Sequence, residues 1–167
     1  MSAPAIGARR SLIDGLIDGI VTAYRLHRNP LTRSCAVAQS LEPFLGDPRL
    51  LTDAQQQAGA RRYRQHVLHV DERAGFAIVA VVWLAGQTTP IHDHASWCAI
   101  GVHRGREREV RYRREVSSSV GHLLAIGERV TPAGEVNVVP AGEIHRVENP
   151  GPDTSISIHV YAEAPRR

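Results

Sequence analysis

From Tyr63 to Ala162 the chain reads as eight short strand-like segments, and no other feature narrows its fold as much. In order they are YRQHVLHV, GFAIVAVVWLA, SWCAIGVHR, EREVRYRREV, HLLAIG, EVNVVP, HRVEN and TSISIHVYA. Each is β-branched or alternating, and Gly, Pro, Asn or Asp punctuates the gaps, as expected for strands joined by turns. Many short strands with no helical interval fit a small antiparallel barrel or jelly roll, which protects strand edges. The preceding residues have a different texture. Ser11-Leu12-Ile13-Asp14 is the expected start of a helix, and Leu16, Ile17, Ile20, Val21 and Tyr24 continue it at helical spacing until Asn29-Pro30. A second helix is expected over about 32–45, stopped by Gly46-Asp47-Pro48, and a short third over Asp53–Ala60. The expectation is one mainly-β domain of 167 residues, with a helical head (1–60) packed outside a barrel (61–162).

Charge excludes several chemistries. All twenty basic residues are arginine, so Schiff-base catalysis, lysine-held pyridoxal phosphate and a P-loop are ruled out. Arginines cluster at 61–64 and 104–114, but Glu107, Glu109 and Glu115 are interleaved and the net charge is only +3. Solvated strand and helix faces are the expectation there, not a nucleic-acid surface. No apolar run approaches the ~20 residues of a membrane span. The opening MSAPAIGARRSLIDG lacks a signal-like apolar stretch, so a cytoplasmic protein is expected. Cys35 and Cys98 are too few for a disulfide framework, and Cys35 reads as core.

Nine histidines against two phenylalanines point to where the chemistry lies. Two segments frame three of them with glycine and proline: Gly86-Gln-Thr-Thr-Pro-Ile-His92-Asp-His94 and Gly134-Glu-Val-Asn-Val-Val-Pro140-Ala-Gly142-Glu-Ile-His145. In extended chain, alternate side chains share a face, so His92 and His94 point inward together and Asp93 points away. His145 from a facing strand would complete a facial set of three imidazoles, leaving the far side of a metal open. Further on, Ser157, His159 and Tyr161 lie at i, i+2 and i+4 and also share a face. Of the other histidines, His27 falls at a helix end, where a cation suits the dipole. His103 and His122 read as surface, and His66 and His69 lie on the first strand next to Gln65, with a pocket-lining place open to one of them. Trp83 and Trp97 read as core or pocket wall.

The full spacing, G-x5-H-x-H-x3-C-x6-G followed by G-x5-P-x-G-x2-H-x3-N, resembles the two cupin motifs, with Cys98 where most cupins place a glutamate. That substitution, together with PIHDH and the Ser-x-His-x-Tyr row, resembles the thiol dioxygenase branch over roughly residues 60–162. The resemblance implies a cupin double-stranded β-helix and a mononuclear Fe(II) held by His92, His94 and His145. It further implies that O2 converts the sulfur of a small thiol to a sulfinate, with Tyr161 set in place by His159 and Ser157. It places Tyr63, Arg64 and Gln65 on the strand that meets the far end of the substrate.

Here the indicators divide. Gln65 stands where cysteine-preferring relatives carry arginine, which resembles the 3-mercaptopropionate branch, whereas Cys98 resembles the cysteine-preferring branch. Arg64 would face away from Gln65 on a regular strand. Relatives of the mercaptopropionate type close the site with an arginine beyond the tyrosine, and the residues here are Arg166 and Arg167. Cys98 has three readings: a buried hydrophobe, a ligand, or the partner of Tyr161 in a thioether crosslink. Alternative functions are a cysteine-oxidising cupin giving a rearranged or decarboxylated product, and a non-catalytic binding cupin. The partners that the resemblance implies are a small thiol and O2, with monomer and homodimer both open.

Overall fold

A computed structural model describes residues 3–115 and 121–162. Its eight strands coincide with the eight segments: β1 (Arg64–Asp71), β2 (Phe76–Trp83), β3 (Cys98–Arg104), β4 (Arg106–Arg114), β5 (Leu123–Pro132), β6 (Val136–Val139), β7 (Ile144–Glu148) and β8 (Ser155–Tyr161). They form a five-stranded sheet, β1-β2-β8-β3-β6, and a three-stranded sheet, β5-β4-β7. Every strand pair is antiparallel.

Strand β2 shows how the layers are built. It reads FAIVAVVW and is buried along its whole length, so both faces must be covered. Phe76, Ile78, Ala80 and Val82 pack outward against Leu16, Ile20, Val37 and Leu41 of two helices, α1 (Ala3–Leu26) and α2 (Pro30–Leu41). Val79, Val81 and Trp83 turn inward and meet Val147 of β7. The neighbouring β8 splits in the same way. Ile156, Ile158 and Val160 join the helical layer, while the alternate Ser157, His159 and Tyr161 are turned to the opposite, inner face. The helical head therefore covers the outside of the larger sheet. Gly101 marks the closest approach: a Cβ there would stand 2.9 Å from Leu45 Cδ2 and 3.2 Å from Leu41 Cδ1. Among the described residues, no helix is long and apolar enough to cross a membrane.

The helical boundaries differ from the sequence expectation. Helix α1 begins at Ala3, well before Ser11, because the Ala- and Arg-rich start favours helix without any apolar stripe. Asn29-Pro30 both closes α1 and starts α2: the Asn29 side chain accepts from the amides of Leu31 and Thr32, and Pro30 occupies the first turn. The expected third helix is only a 3-10 turn over Asp53–Gln56, closed by a Thr52–Gln55 capping box.

Cys35 and His103 contradict their expected surroundings. Cys35 is exposed. The buried positions of α2 are Ser34, Val37, Ala38 and Leu41, and Cys35 lies on the opposite face. His103 is buried, because β3 is an interior strand flanked by β8 and β6, and its Nδ1 accepts the Gly46 N–H at 3.2 Å.

Candidate metal centre

The PIHDH segment is not a regular strand. It is pinned along β7 by reciprocal bonds, with the His92 N–H donating to the His145 carbonyl at 2.9 Å and the His145 N–H to His92 at 2.8 Å. Gly86, at φ +72°, makes the turn into this segment and donates its N–H to the Asn149 carbonyl. At the other end the Gly142 N–H donates to the His94 carbonyl at 2.8 Å. The glycines and the asparagine of the two motifs thus clamp one segment to the other. The alternation holds without a strand, with His92 and His94 half-buried and Asp93 exposed.

As a result His92, His94 and His145 converge, with their ligating nitrogens within 4.8 Å of one another. Two are oriented by their second nitrogen. His92 Nδ1–H donates to the Pro90 carbonyl at 2.9 Å, and His145 Nδ1–H to Glu109 Oε1 at 2.9 Å. In a neutral ring that bond leaves Nε2 as the ligating nitrogen, and the Nε2 atoms of His94 and His145 stand 3.2 Å apart. Burial, reinforced by His92, His145 and His159, pushes His94 down to about 4. Burial also lowers His92 despite the Pro90 bond. Imidazole nitrogens gathered this closely suit a divalent transition metal, so the donor set fits the implied ion. Cys98 is outside the group.

The carboxylate behind His145 is a residue that sequence reasoning missed. Glu109 and Glu107 are not solvated: they are 3% and 5% exposed and lie on the inner face of β4. The Arg-Glu alternation of REREV was itself the signal, since it puts both acids on one face and Arg106 and Arg108 on the other. Glu109 Oε2 accepts from Arg111 at 3.2 Å and from Asn137 at 3.1 Å. Burial pushes the Glu109 carboxyl up, but the bonds from His145 and Asn137 and the charge of Arg111 outweigh it, holding the group ionised.

The Ser-x-His-x-Tyr row lies on β8, a central strand rather than an edge. Trp83 Nε1–H donates to Ser157 Oγ at 3.2 Å, Ser157 Oγ lies 2.8 Å from His159 Nε2, and Tyr161 Oη lies 3.4 Å from His159 Nδ1. The Tyr161 ring reaches His94, with centroids 5.7 Å apart. Cys98 is fully buried, pairs with Tyr161 across β3 and β8, and packs against its ring. Burial, then Glu107 and Glu109, push its thiol well above the ordinary value.

These groups surround a cavity of about 400 Å³ whose wall also includes Tyr63, Gln65, Val79, Val81 and Trp83. Arg64 does not reach it. That side chain lines an adjoining groove with Arg61 and Arg62, which meets the cavity only at Tyr63 and Gln65. His66 bonds the Gln57 carbonyl and His69 rests on Phe76, both away from the cavity. Arg166 and Arg167 lie outside the described residues.

No known family profile matches the chain. Among solved structures it is similar to a cupin-superfamily protein of Desulfitobacterium hafniense DCB-2, 13% identical over 72% of this chain and 95% of that one, with a TM-score of 0.50. The fold is that of a cupin. A Thermus thermophilus protein is similarly close, at 18% identity over 69% of this chain and 98% of its own, TM-score 0.50. An oxalate oxidase solved with the substrate analogue glycolate aligns at 24% identity over 71% of this chain and 61% of its own, TM-score 0.49. The two likenesses at a TM-score of 0.50 show the fold alone, and the chemistry rests on the residues inside it.

Proposed function

We propose that this cupin is a cytoplasmic Fe(II)-dependent thiol dioxygenase that uses O2 to convert the sulfur of a small thiol to a sulfinate. The observation that carries this reading is the meeting, in one cavity, of the His92–His94–His145 set with the Ser157–His159–Tyr161 row. Ferrous iron held by the three histidines would supply the chemistry that joins dioxygen to sulfur. The protein's own groups bind, orient and shield. Three neutral ligands add no negative charge, which favours a substrate bound as its thiolate. Glu109 keeps the His145 Nε2 lone pair on the cavity by holding the proton at Nδ1. Tyr161 sets its ring against His94, with its hydroxyl held by a chain running through His159 and Ser157 to Trp83. Val79, Val81 and Trp83 exclude water from that wall. Gln65 and Tyr63, at the junction with the arginine groove, hold the far polar end of the substrate.

The pairing of Cys98 with Tyr161 supports a thioether between the two, formed with loss of one hydrogen from the thiol and one from the ring to dioxygen.

The test is oxygen uptake by Fe(II)-loaded protein with cysteine and with 3-mercaptopropionate, products identified by mass. Sulfinate formed with matching oxygen use supports the proposal, and the thiol consumed faster resolves the opposing signals of Gln65 and Cys98. Uptake with a rearranged or decarboxylated product favours the alternative oxidase. Binding of thiol without uptake favours a binding cupin.

A further inference from the structure

Strand β4 sends two buried carboxylates into the barrel at alternate positions, and each faces a ring nitrogen of a different histidine. Glu109 meets His145 Nδ1 at 2.9 Å, and Glu107 Oε2 lies 3.5 Å from His159 Nε2. The first pair belongs to the metal centre. The second has no part in holding the three metal-site histidines. Glu107 Oε2 is buried and, among the described residues, accepts no hydrogen bond. An ionised oxygen in that position is costly unless the nitrogen it faces carries a proton.

Two neutral arrangements of the row are possible. With the proton on Nδ1, the Ser157 hydroxyl donates to Nε2 and the Glu107 carboxylate looks at a nitrogen lone pair. With the proton on Nε2, His159 donates to Ser157 Oγ while its N–H also faces Glu107. Ser157 Oγ, which already accepts from Trp83 Nε1 at 3.2 Å, takes this second proton without conflict. The second arrangement replaces a repulsive contact inside the barrel with an attractive one.

We propose that Glu107 is a positioning residue that fixes His159 as the Nε2–H tautomer, so that Nδ1 accepts the Tyr161 hydroxyl proton and the phenol turns an oxygen lone pair to the cavity. Cys98 Sγ, 3.8 Å from the same Nδ1, is the other group beside that nitrogen. The consequence for catalysis rests on the thiol dioxygenase reading. A thiol entering the cavity passes its proton to Tyr161 Oη as Tyr161 passes its own to Nδ1. The substrate becomes thiolate, the phenol is restored, and the imidazolium left behind faces Glu107. The logic is that of a carboxylate behind a histidine base, which sets the tautomer and offsets the charge that forms.

The test is the tautomer itself, read by two-bond nitrogen–proton correlation on protein labelled with heavy nitrogen and loaded with Zn(II), a diamagnetic ion. The His159 signals are assigned with His159→Asn. The expected result is a protonated Nε2 and a bare Nδ1, with the preference for Nε2–H lost in Glu107→Leu, which offers Nε2 no acceptor. Ser157→Ala is the second variant, and it retains the Nε2 proton because Glu107 alone holds it there. A bare Nε2 in the unmodified protein, an imidazolium there, an unchanged tautomer in Glu107→Leu or a reversed one in Ser157→Ala each overturns the proposal. If thiol oxidation is observed, Glu107→Gln lowers kcat by about 100-fold with KM little changed. If no thiol is oxidised, the dioxygenase reading falls while the tautomer result still decides the role of Glu107.

Discussion

Replacing Glu109 by glutamine tests how the metal centre is held. The carboxylate faces donors on both sides: His145 Nδ1–H at 2.9 Å on Oε1, and Arg111 at 3.2 Å with Asn137 at 3.1 Å on Oε2. An amide has one oxygen and one NH2 and cannot accept on both sides. With its oxygen towards His145, the NH2 group faces the donors of Arg111 and Asn137. With its oxygen towards those donors, the NH2 group faces His145 and drives the imidazole proton onto Nε2, the nitrogen needed for the metal. Arg111 keeps a second partner, Glu143 Oε1 at 2.7 Å, so the damage centres on His145. Loss of such an outer partner typically weakens metal binding by about 10- to 100-fold, or roughly 1.4–2.8 kcal/mol. The misplaced donors cost a further ~1–3 kcal/mol of folding stability. Anaerobic titration of Fe(II) against a competing chelator measures the first effect and urea unfolding of the metal-free protein the second. Metal affinity equal to the unmodified protein would refute the claim that Glu109 orients His145.

Three further outcomes are expected. Burial, then the Arg104 charge, lower the His103 pKa from 6.5 with only Asp47 opposing, so the neutral ring contributes stability above pH 6.5 that is lost as pH falls through the depressed folded value. The urea midpoint of His103→Gln should therefore fall less steeply than the unmodified protein's as pH drops below 6.5, and parallel slopes would contradict this. A thiol reagent applied to native protein should label Cys35 and spare the fully buried Cys98. After unfolding, Cys98 labels fully in protein never exposed to iron and oxygen, and resists in the fraction that has lost two hydrogens by mass. Gly101→Ala should destabilise by ~1–3 kcal/mol, since its Cβ presses on Leu45 and Leu41 where α2 meets the sheet. A thermal midpoint unchanged by this substitution would mean that the two leucines yield freely.

Much of the fold was legible because β structure here is written in local signs. Alternation and turn residues located all eight strands, and the period-2 rule put Ser157, His159 and Tyr161 on one face of β8. The rule placed His92 and His94 together even though the segment proved to be pinned chain rather than strand. What stayed hidden depends on which elements lie against which. Glu107 and Glu109 look like solvated charges beside Arg106 and Arg108 until β4 is seen to line the barrel. His103 is polar and sits near an arginine, yet β3 lies between two strands. Cys35 follows the opposite course, because a helix with four buried positions still leaves a free face. The first turn of α1 has no apolar periodicity to announce it, so only propensity could have extended the helix back to Ala3.

The most direct test of the central claim is to supply isotopically heavy dioxygen to the Fe(II)-loaded protein with its preferred thiol and weigh the product. A thiol dioxygenase yields a sulfinate carrying both heavy oxygen atoms, and no such product forms when His145 is replaced by alanine. A sulfinate containing oxygen from water, or equal activity in the His145→Ala protein, would contradict it.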